Sequence, residues 1–187
     1  VDDFSSYHPL FFESRLDILK ENRKVFANPD YKSDLPLGVV VLGKTDGNNQ
    51  LDNPLFRKQL REIQQKYRLF IIEADDMKSF NGAVAAASRF SDGRKVDMVV
   101  IGGDPISDLG YAFGRPPSEG LGSTSNFRVL KERTSENVDI VLIGGGLGRR
   151  TAKSAGSLYG YGESLHQALL WSFPQGRIHS SSVEAFG

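Results

Sequence analysis

The sequence has no cysteine among its 187 residues. This absence excludes disulfide bonds, cysteine-ligated metal sites and a thiolate nucleophile. Histidine is nearly as scarce, because the chain holds only His8, His166 and His179. No two of them have the spacing of metal ligands, and Ser164 is only two positions from His166, so these side chains would not face each other on a helix. The sequence therefore predicts no metal site, no cofactor and no serine–histidine–aspartate arrangement.

An excess of charge of one sign is also missing, since 23 basic side chains balance 23 acidic ones. A balanced chain lacks the basic excess of proteins that bind nucleic acids or membrane surfaces. No apolar run approaches the roughly 18 residues of a transmembrane helix, and no signal peptide is visible. The first residue is Val1 rather than methionine, which indicates a fragment of a longer protein. The localisation stays open between the cytoplasm and delivery into a host cell, with any signal expected outside this fragment.

Two runs of aliphatic residues that end in consecutive glycines stand out, at 99–104 and 140–146. Such runs are typical of strands buried on both faces of a parallel sheet. Together with two further runs they predict four parallel strands, at 39–42, 69–72, 96–101 and 138–143. Right-handed crossovers predict the strand order 2-1-3-4, and the glycine-terminated ends would then form a crevice at the carboxyl edge.

Helices are predicted between these strands, beginning with an N-terminal helix from Pro9 to about Lys24. Asn53 is a good N-cap and Pro54 fits the first position of the next helix. The region 104–126 is rich in glycine, proline and serine and is expected to be irregular. The remaining predicted elements are helices at 81–90, 127–133 and 165–172, with Trp171 beside the packing face of the last, and a short edge strand at 177–179.

This alternation predicts the α/β class, as a three-layer αβα sandwich with a mainly parallel, Rossmann-like sheet. The expected organisation is a helical lead-in at 1–36 followed by the α/β domain at 37–187, which together form one domain. Asp75 and Asp76, after the second strand, are interpreted as solvated carboxylates in preference to metal ligands. Serines 180–182 are interpreted as a polar connection.

The glycine-rich loops resemble phosphate-binding loops, but neither standard motif is present. A Walker loop ends in Gly-Lys-Ser/Thr, whereas residues 152–154 read Ala-Lys-Ser. The dinucleotide fingerprint requires Gly-x-Gly-x-x-Gly, and the glycines of 144–148 have the wrong last spacing. The backbone amides of that run, with Arg149 and Arg150 nearby, could still hold an anion; a plain loop is the simpler interpretation.

The two glycine-terminated runs resemble those of caspase-like (clan CD) cysteine peptidases, above all the self-cleaving peptidase domains of bacterial toxins and effectors. In that family the third strand ends in a Gly-His-Gly pattern, often followed by a Ser-Ile-x-Leu-Gly-like segment, and residues 100–110 follow that outline. The family's next strand ends in a Ser-Cys-Ser-Thr-Gly-like turn, whose place is taken by 140–148. A helix, a Pro-Gly turn and a short strand then follow, as at 165–179. The resemblance covers roughly 37–182.

The departures from the family pattern determine the function that the resemblance implies. The histidine position falls on Asp104 and the cysteine position on Gly145. Glycine has no side chain that can attack, and Asp104 has no nucleophile to activate. The resemblance therefore implies an inactive caspase-like domain, a pseudoprotease, that binds or scaffolds proteins within a larger bacterial protein such as a secreted effector or toxin. If it holds, the Cα atoms of Asp104 and Gly145 should lie within about 10 Å of each other at adjacent strand ends.

The expected binding residues follow the strands of the crevice, where the basic members would favour an acidic protein partner. They are Lys44, Asp46, Gly103, Asp104, Gly144, Gly146, Arg149 and Arg150, with Lys153 adding a further charge. An alternative is a hydrolase or a nucleotide- or phosphate-binding enzyme that uses the same crevice, and an unrelated Rossmann-like domain is also open. An enzyme should bring several titratable groups within hydrogen-bond reach, whereas a pseudoenzyme should not.

Overall fold

The computed structural model describes residues 9–43, 51, 53–102, 104–107, 110–112, 121–122, 125–143 and 165–180. The helices are α1 (Pro9–Ala27), α2 (Pro54–Lys66), α3 (Met77–Arg89), α4 (Arg128–Arg133) and α5 (Leu165–Ser172). The strands are β1 (Leu37–Gly43), β2 (Arg68–Ala74), β3 (Val96–Gly102), β4 (Asp104–Ser107), β5 (Gly110–Ala112), β6 (Leu121–Gly122), β7 (Thr134–Ile143) and β8 (Arg177–Ser180). None of the helices within these ranges is long and apolar enough to cross a membrane.

Five strands form the central sheet in the order β2-β1-β3-β7-β8, and every neighbouring pair is parallel. The predicted order of the first four strands is therefore confirmed, and the short fifth strand joins at the edge beside β7. Helices cover the sheet on both sides, as the alternation of strands and helices predicts. The chain is an α/β protein with a three-layer αβα arrangement.

The central strand β1 shows how each face of the sheet obtains its own core. Val39 and Val41 lie in the cluster that includes α3, α4 and α5, whereas Val40 and Leu42 lie in the cluster that includes α2. Successive side chains of a strand point to opposite faces, so an uninterrupted aliphatic run supplies both clusters. All seven residues of β1 are buried, as expected for a strand covered on both sides.

Helix α1 belongs to both cores because it lies along the edge strand β2. Ile18 packs into the cluster on the α2 side and Val25 into the opposite cluster. Between them, the side chain of Asn22 binds the backbone of β2: its Nδ2 donates to the carbonyl of Ile71 at 3.0 Å, and its Oδ1 accepts from the amide of Ile71 at 2.8 Å. A single side-chain amide thus occupies backbone positions that a further strand would otherwise use.

The region 104–126, predicted to be irregular, contains a second sheet. Strands β4, β5 and β6 pair antiparallel in that order, so the prediction is wrong for those residues. Strands of two to four residues lie below the length at which alternation of side chains can be recognised in a sequence. Pro105 is compatible with β4 because β4 is an edge strand, where a missing amide costs no ladder hydrogen bond.

Two other elements differ from the prediction at their first residues. Helix α3 begins at Met77 rather than near Asn81, because Asp76 acts as its N-cap. Strand β7 begins at Thr134, earlier than the predicted start at Val138. On α5, Trp171 is 73% exposed, whereas Leu165 and Leu169 are buried; the tryptophan lies outside the core.

The guanidinium of Arg68 is buried and forms bonds through all three of its nitrogens, and the side chain is 1% exposed. Its Nη2 donates to the carbonyl of Val25 in the last turn of α1 at 2.9 Å and to that of Phe90, the C-cap of α3, at 3.4 Å. Its Nη1 donates to the carbonyls of Asn28, Pro29 and Tyr31, and its Nε donates to the Ser91 hydroxyl.

These bonds offset the cost of burying a charge. Burial lowers the pKa of Arg68, with a further contribution from Arg94, yet arginine remains protonated in proteins. The carbonyls at a helix C-terminus have no partners within the helix and carry partial negative charge. One buried cation therefore joins the carboxyl ends of α1 and α3 to the loop that leads from α1 to β1.

Replacing Arg68 by leucine should lower the free energy of unfolding by at least about 3 kcal/mol, because several buried carbonyls would lose their partner. The same change at Arg61, which is exposed and paired with Asp17 at 2.8 Å, should cost less than about 1 kcal/mol. Urea titration of both variants and of Arg68→Lys checks this, with the lysine variant expected in between. Equal losses for the two leucine variants would contradict the structural role of Arg68.

Two glycines should respond oppositely to replacement by alanine. A Cβ at Gly176, in the turn before β8, would lie 3.0 Å from the Val138 carbonyl oxygen and 3.1 Å from Cβ of Phe173, so Gly176→Ala should cost about 1–3 kcal/mol. A Cβ at Gly82, in α3, would meet no atom within 4 Å, so Gly82→Ala should stabilise by about 0.5–1 kcal/mol. Thermal unfolding measures both, and a stabilising Gly176→Ala would refute the close contact.

Candidate functional site

The carboxyl ends of three adjacent strands meet at one edge of the sheet. Gly102, the last residue of β3, is paired with Leu42 of β1 on one side and with Ile143 of β7 on the other. The chain runs from β1 outward to β2 and then returns to β3 on the opposite side of β1. Such a reversal of direction leaves a crevice outside the carboxyl ends of the two strands that flank it, and ligands of open α/β sheets bind there.

The predicted site residues belong to the segments that leave these strand ends. Asp104 is the first residue of β4, and its backbone pairs with Ala112. Strand β4 thus begins two residues after the end of β3, and its pairing with β5 fixes the backbone of Asp104 at the base of a hairpin. The other predicted positions lie outside the described residues: Lys44, Asp46, Gly103, Gly144, Gly145, Gly146, Arg149, Arg150 and Lys153. The distance between Asp104 and Gly145 therefore stays a prediction, although β3 and β7 are neighbours.

A buried arginine at this edge was not predicted from the sequence. Arg57, in the first turns of α2, is 2% exposed, and its Nη1 donates to the carbonyl of Leu51 at 2.8 Å. Leu51 is itself buried against α2. The pair holds the chain close to α2 just before the helix begins, after the segment that carries Lys44 and Asp46. The charge of Arg57 gave no sign of this role, because an arginine in a helix is usually solvated.

Asp75 and Asp76 have a structural explanation that requires no metal. The carboxylate of Asp76 accepts from the amide of Ser79 at 2.7 Å, and the Ser79 hydroxyl accepts from the amide of Asp76 at 3.0 Å. These reciprocal bonds form a capping box at the start of α3, and the bonds from Ser79 lower the pKa of Asp76. In the part of the chain that the structure describes, no three acidic or histidine side chains lie together as metal ligands would.

A polar cluster lies on the sheet near β8, away from the predicted site. The carboxylate of Asp139, on β7, binds Nη2 of Arg177 at 2.7 Å through one oxygen and Nε2 of His179 at 3.0 Å through the other. Both partners are on the edge strand β8, and Arg177 is opposite Asp139 in the register. Tyr67 lies close by, and its own burial, together with the negative charges of Asp139 and Asp97, raises its pKa.

This cluster has a structural consequence for the edge of the sheet. A four-residue strand forms few backbone bonds, and a carboxylate that pairs with two of its side chains fixes its position along β7. The side chain of Asp139 is 17% exposed whereas those of Arg177 and His179 are largely exposed, so the pair to Arg177 contributes at most about 1 kcal/mol. The sequence signal was a single acidic residue, Asp139, inside the aliphatic run of β7.

The structure describes two of the three histidines, and these two lie near each other on neighbouring elements. His179 is on β8, His166 is half-buried on α5, and His8 lies outside the described residues. Burial is the main reason that the pKa of His166 is lowered, and the proximity of His179 adds to it. Imidazoles that lie near each other disfavour a second positive charge. His166 is therefore a source of acid sensitivity at α5.

A search of protein-family models, curated proteins and solved structures finds no match to this chain.

Acidification should destabilise the protein through His166. Because the pKa of His166 is lowered in the folded state, the unfolded chain binds the proton more readily. The contribution of neutral His166 to the free energy of unfolding is therefore complete above the unfolded pKa of about 6.5, and it is lost as the pH falls through the lowered pKa of the folded state. His166→Gln should therefore show a smaller loss of unfolding free energy between neutral and mildly acidic pH. Urea titrations at several pH values measure this.

In His179→Gln, NMR titration of the His166 ring should give a higher pKa, because the nearby positive charge is removed. An unchanged or lower pKa of His166 would contradict the coupling of the two rings.

Proposed function

We propose that the chain is a catalytically inactive, caspase-like domain that serves as a protein-binding or scaffolding module of a larger protein. One observation carries the proposal: the adjacent parallel strands β3 and β7 lead into Asp104 and Gly145 in a chain without cysteine. These are the positions where the resemblance expects a histidine and a cysteine. The resemblance further points to a bacterial protein such as a secreted effector or toxin.

The order of elements after β7 supports the same proposal. The resemblance expects a helix, a Pro-Gly turn and a short strand, and α5, the turn at 174–176 and β8 follow in that order. Strand β8 is parallel to β7 and extends the sheet on the side away from β1. This topology keeps the ends of β3 and β7 side by side, which a dyad formed by these two strands would require.

The chemistry of the two positions supports a binding role over catalysis. Cleavage of a peptide through a covalent intermediate requires a nucleophile, an adjacent base and donors for the oxyanion. Gly145 offers no nucleophile, and a carboxylate at position 104 has none to activate. Loops at the ends of a rigid sheet are suitable for contacts with a partner. Arg149, Arg150 and Lys153 give the loop after β7 a positive charge that would favour an acidic surface.

The purified protein should not cleave peptides, and Asp104→His combined with Gly145→Cys should not restore turnover. Two side chains do not make a site, because the nucleophile must meet its base within about 3 Å beside oxyanion donors. The assay uses a broad peptide library and detection of self-cleavage, with Asp104→Asn combined with Gly145→Ala as the matched control.

Turnover by the variant that carries both the histidine and the cysteine would show that the substrate pocket is intact. It would contradict the expectation that the oxyanion donors and the pocket are no longer placed for catalysis. Turnover by the natural chain would refute the pseudoprotease proposal and favour a hydrolase in the same crevice. The binding role is tested separately by affinity capture from source cells with Arg149→Glu combined with Arg150→Glu. That variant should lose the captured partners, whereas Lys58→Glu combined with Lys66→Glu, on exposed positions of α2, should retain them.

A further inference from the structure

The single tryptophan of the sequence is largely exposed. Trp171 is 73% exposed on the last turn of α5, and its neighbour Leu170 is 38% exposed. The apolar side chains Leu165, Ala168 and Leu169 already anchor α5 to the core, so the fold does not require a tryptophan at position 171. Tryptophan is the residue type most enriched among the few side chains that dominate binding interfaces.

An open depression of about 580 Å³ adjoins the same turn of the helix. It lies between the last turn of α5 and the start of α4, and Ser172 lines it directly after Trp171. Phe127, only 8% exposed, supplies the apolar part of the lining. The other lining residues are polar or charged: Ser125, Asn126, Arg128, Lys131 and Glu132.

The charge around this depression is predominantly positive. Arg128, Lys131 and Arg133 are exposed on the six residues of α4. The carboxylate of Glu132 is 3.5 Å from Nε of Arg128, and Nζ of Lys95 donates to the carbonyl of Glu132. Among the described residues that line the depression, two cations, Arg128 and Lys131, therefore face one carboxylate, and that carboxylate is paired with Arg128. Acidic groups from another molecule would be attracted here.

This surface is separate from the crevice of the proposed function. Helix α4 ends where β7 begins, and α5 ends shortly before β8 begins. The depression therefore lies toward the amino ends of these parallel strands, on the face that α3, α4 and α5 cover. The crevice lies beyond the carboxyl ends of the sheet.

We infer that the depression beside Trp171 binds an acidic peptide segment of a partner protein, with the indole as its apolar anchor and Arg128 and Lys131 as the charged contacts. A peptide fits these features better than a nucleic acid. A single-stranded nucleic acid requires a continuous basic track with several stacking aromatics, whereas the part of this surface that the structure describes has one exposed aromatic ring, that of Trp171, and includes the carboxylate of Glu132. The whole chain has no net charge, so it lacks the basic excess that would favour a nucleic acid over a peptide.

Because Trp171 is the only tryptophan, its fluorescence reports on this surface alone. A phage library of random short peptides is selected against the intact chain, and the selected peptides are synthesised and titrated while the tryptophan emission is followed. We expect peptides rich in aspartate and glutamate, emission that changes on binding, and affinity that falls with salt. A poly-uridylate RNA is titrated in parallel.

Lys131→Glu and Trp171→Ala should each weaken the selected peptides by about tenfold or more, measured by calorimetry. Both residues are exposed, so the variants should fold, which circular dichroism checks. The matched controls are Lys66→Glu and Leu55→Ala, exposed positions on α2, which should bind as the natural chain does. Any one of four results would overturn the inference: no selected peptide, peptides without acidic enrichment, binding unaffected by the first two variants, or stronger binding of the RNA.

Discussion

The guanidinium of Arg68 links three separate parts of this fold. Its donors reach the last turn of α1, the loop after it and the C-cap of α3. Two of the acceptors, the carbonyls of Val25 and Phe90, lie at helix ends, where the last carbonyls have no partner within the helix. The position of α1 along β2, and the start of the crossover from α3 to β3, both depend on this contact. The first residue of the edge strand β2 thus joins this edge of the sheet to the ends of two helices through a buried polar side chain.

Much of the central sheet could be predicted from the sequence because long aliphatic runs have few alternative structures. The runs that contain Val40 and Val100 had to be buried on both faces, and right-handed crossovers then gave the strand order. Asn53 and Pro54 correctly marked the start of α2. The small sheet was not predictable, because its strands depend on hairpin pairing rather than on their own composition. The burial of Arg68 also left no local signal, since it arises from groups distant in sequence.

The meeting of the strand ends could be predicted from the sequence, whereas the residues of the candidate site stay a prediction. The strand ends at Gly102 and Ile143 meet as the glycine-terminated runs predict. Chemistry at such an edge is carried by loops, whose backbone paths are not set by periodicity. The cluster of Asp139 with Arg177 and His179 was missed for a related reason: its members come together only when β8 adopts its register beside β7.

The amide of Asn22 has a consequence for how the protein behaves among its own copies. An edge strand is a template on which any extended chain can assemble, and β2 is such a strand. Asn22 occupies the amide and carbonyl of Ile71 at the middle of that edge, so an incoming strand would meet a helix where it needs hydrogen-bond partners. Helix α1 therefore protects the edge strand β2 from pairing with a strand of another copy. The same helix contributes two side chains, Ile18 and Val25, to the interior.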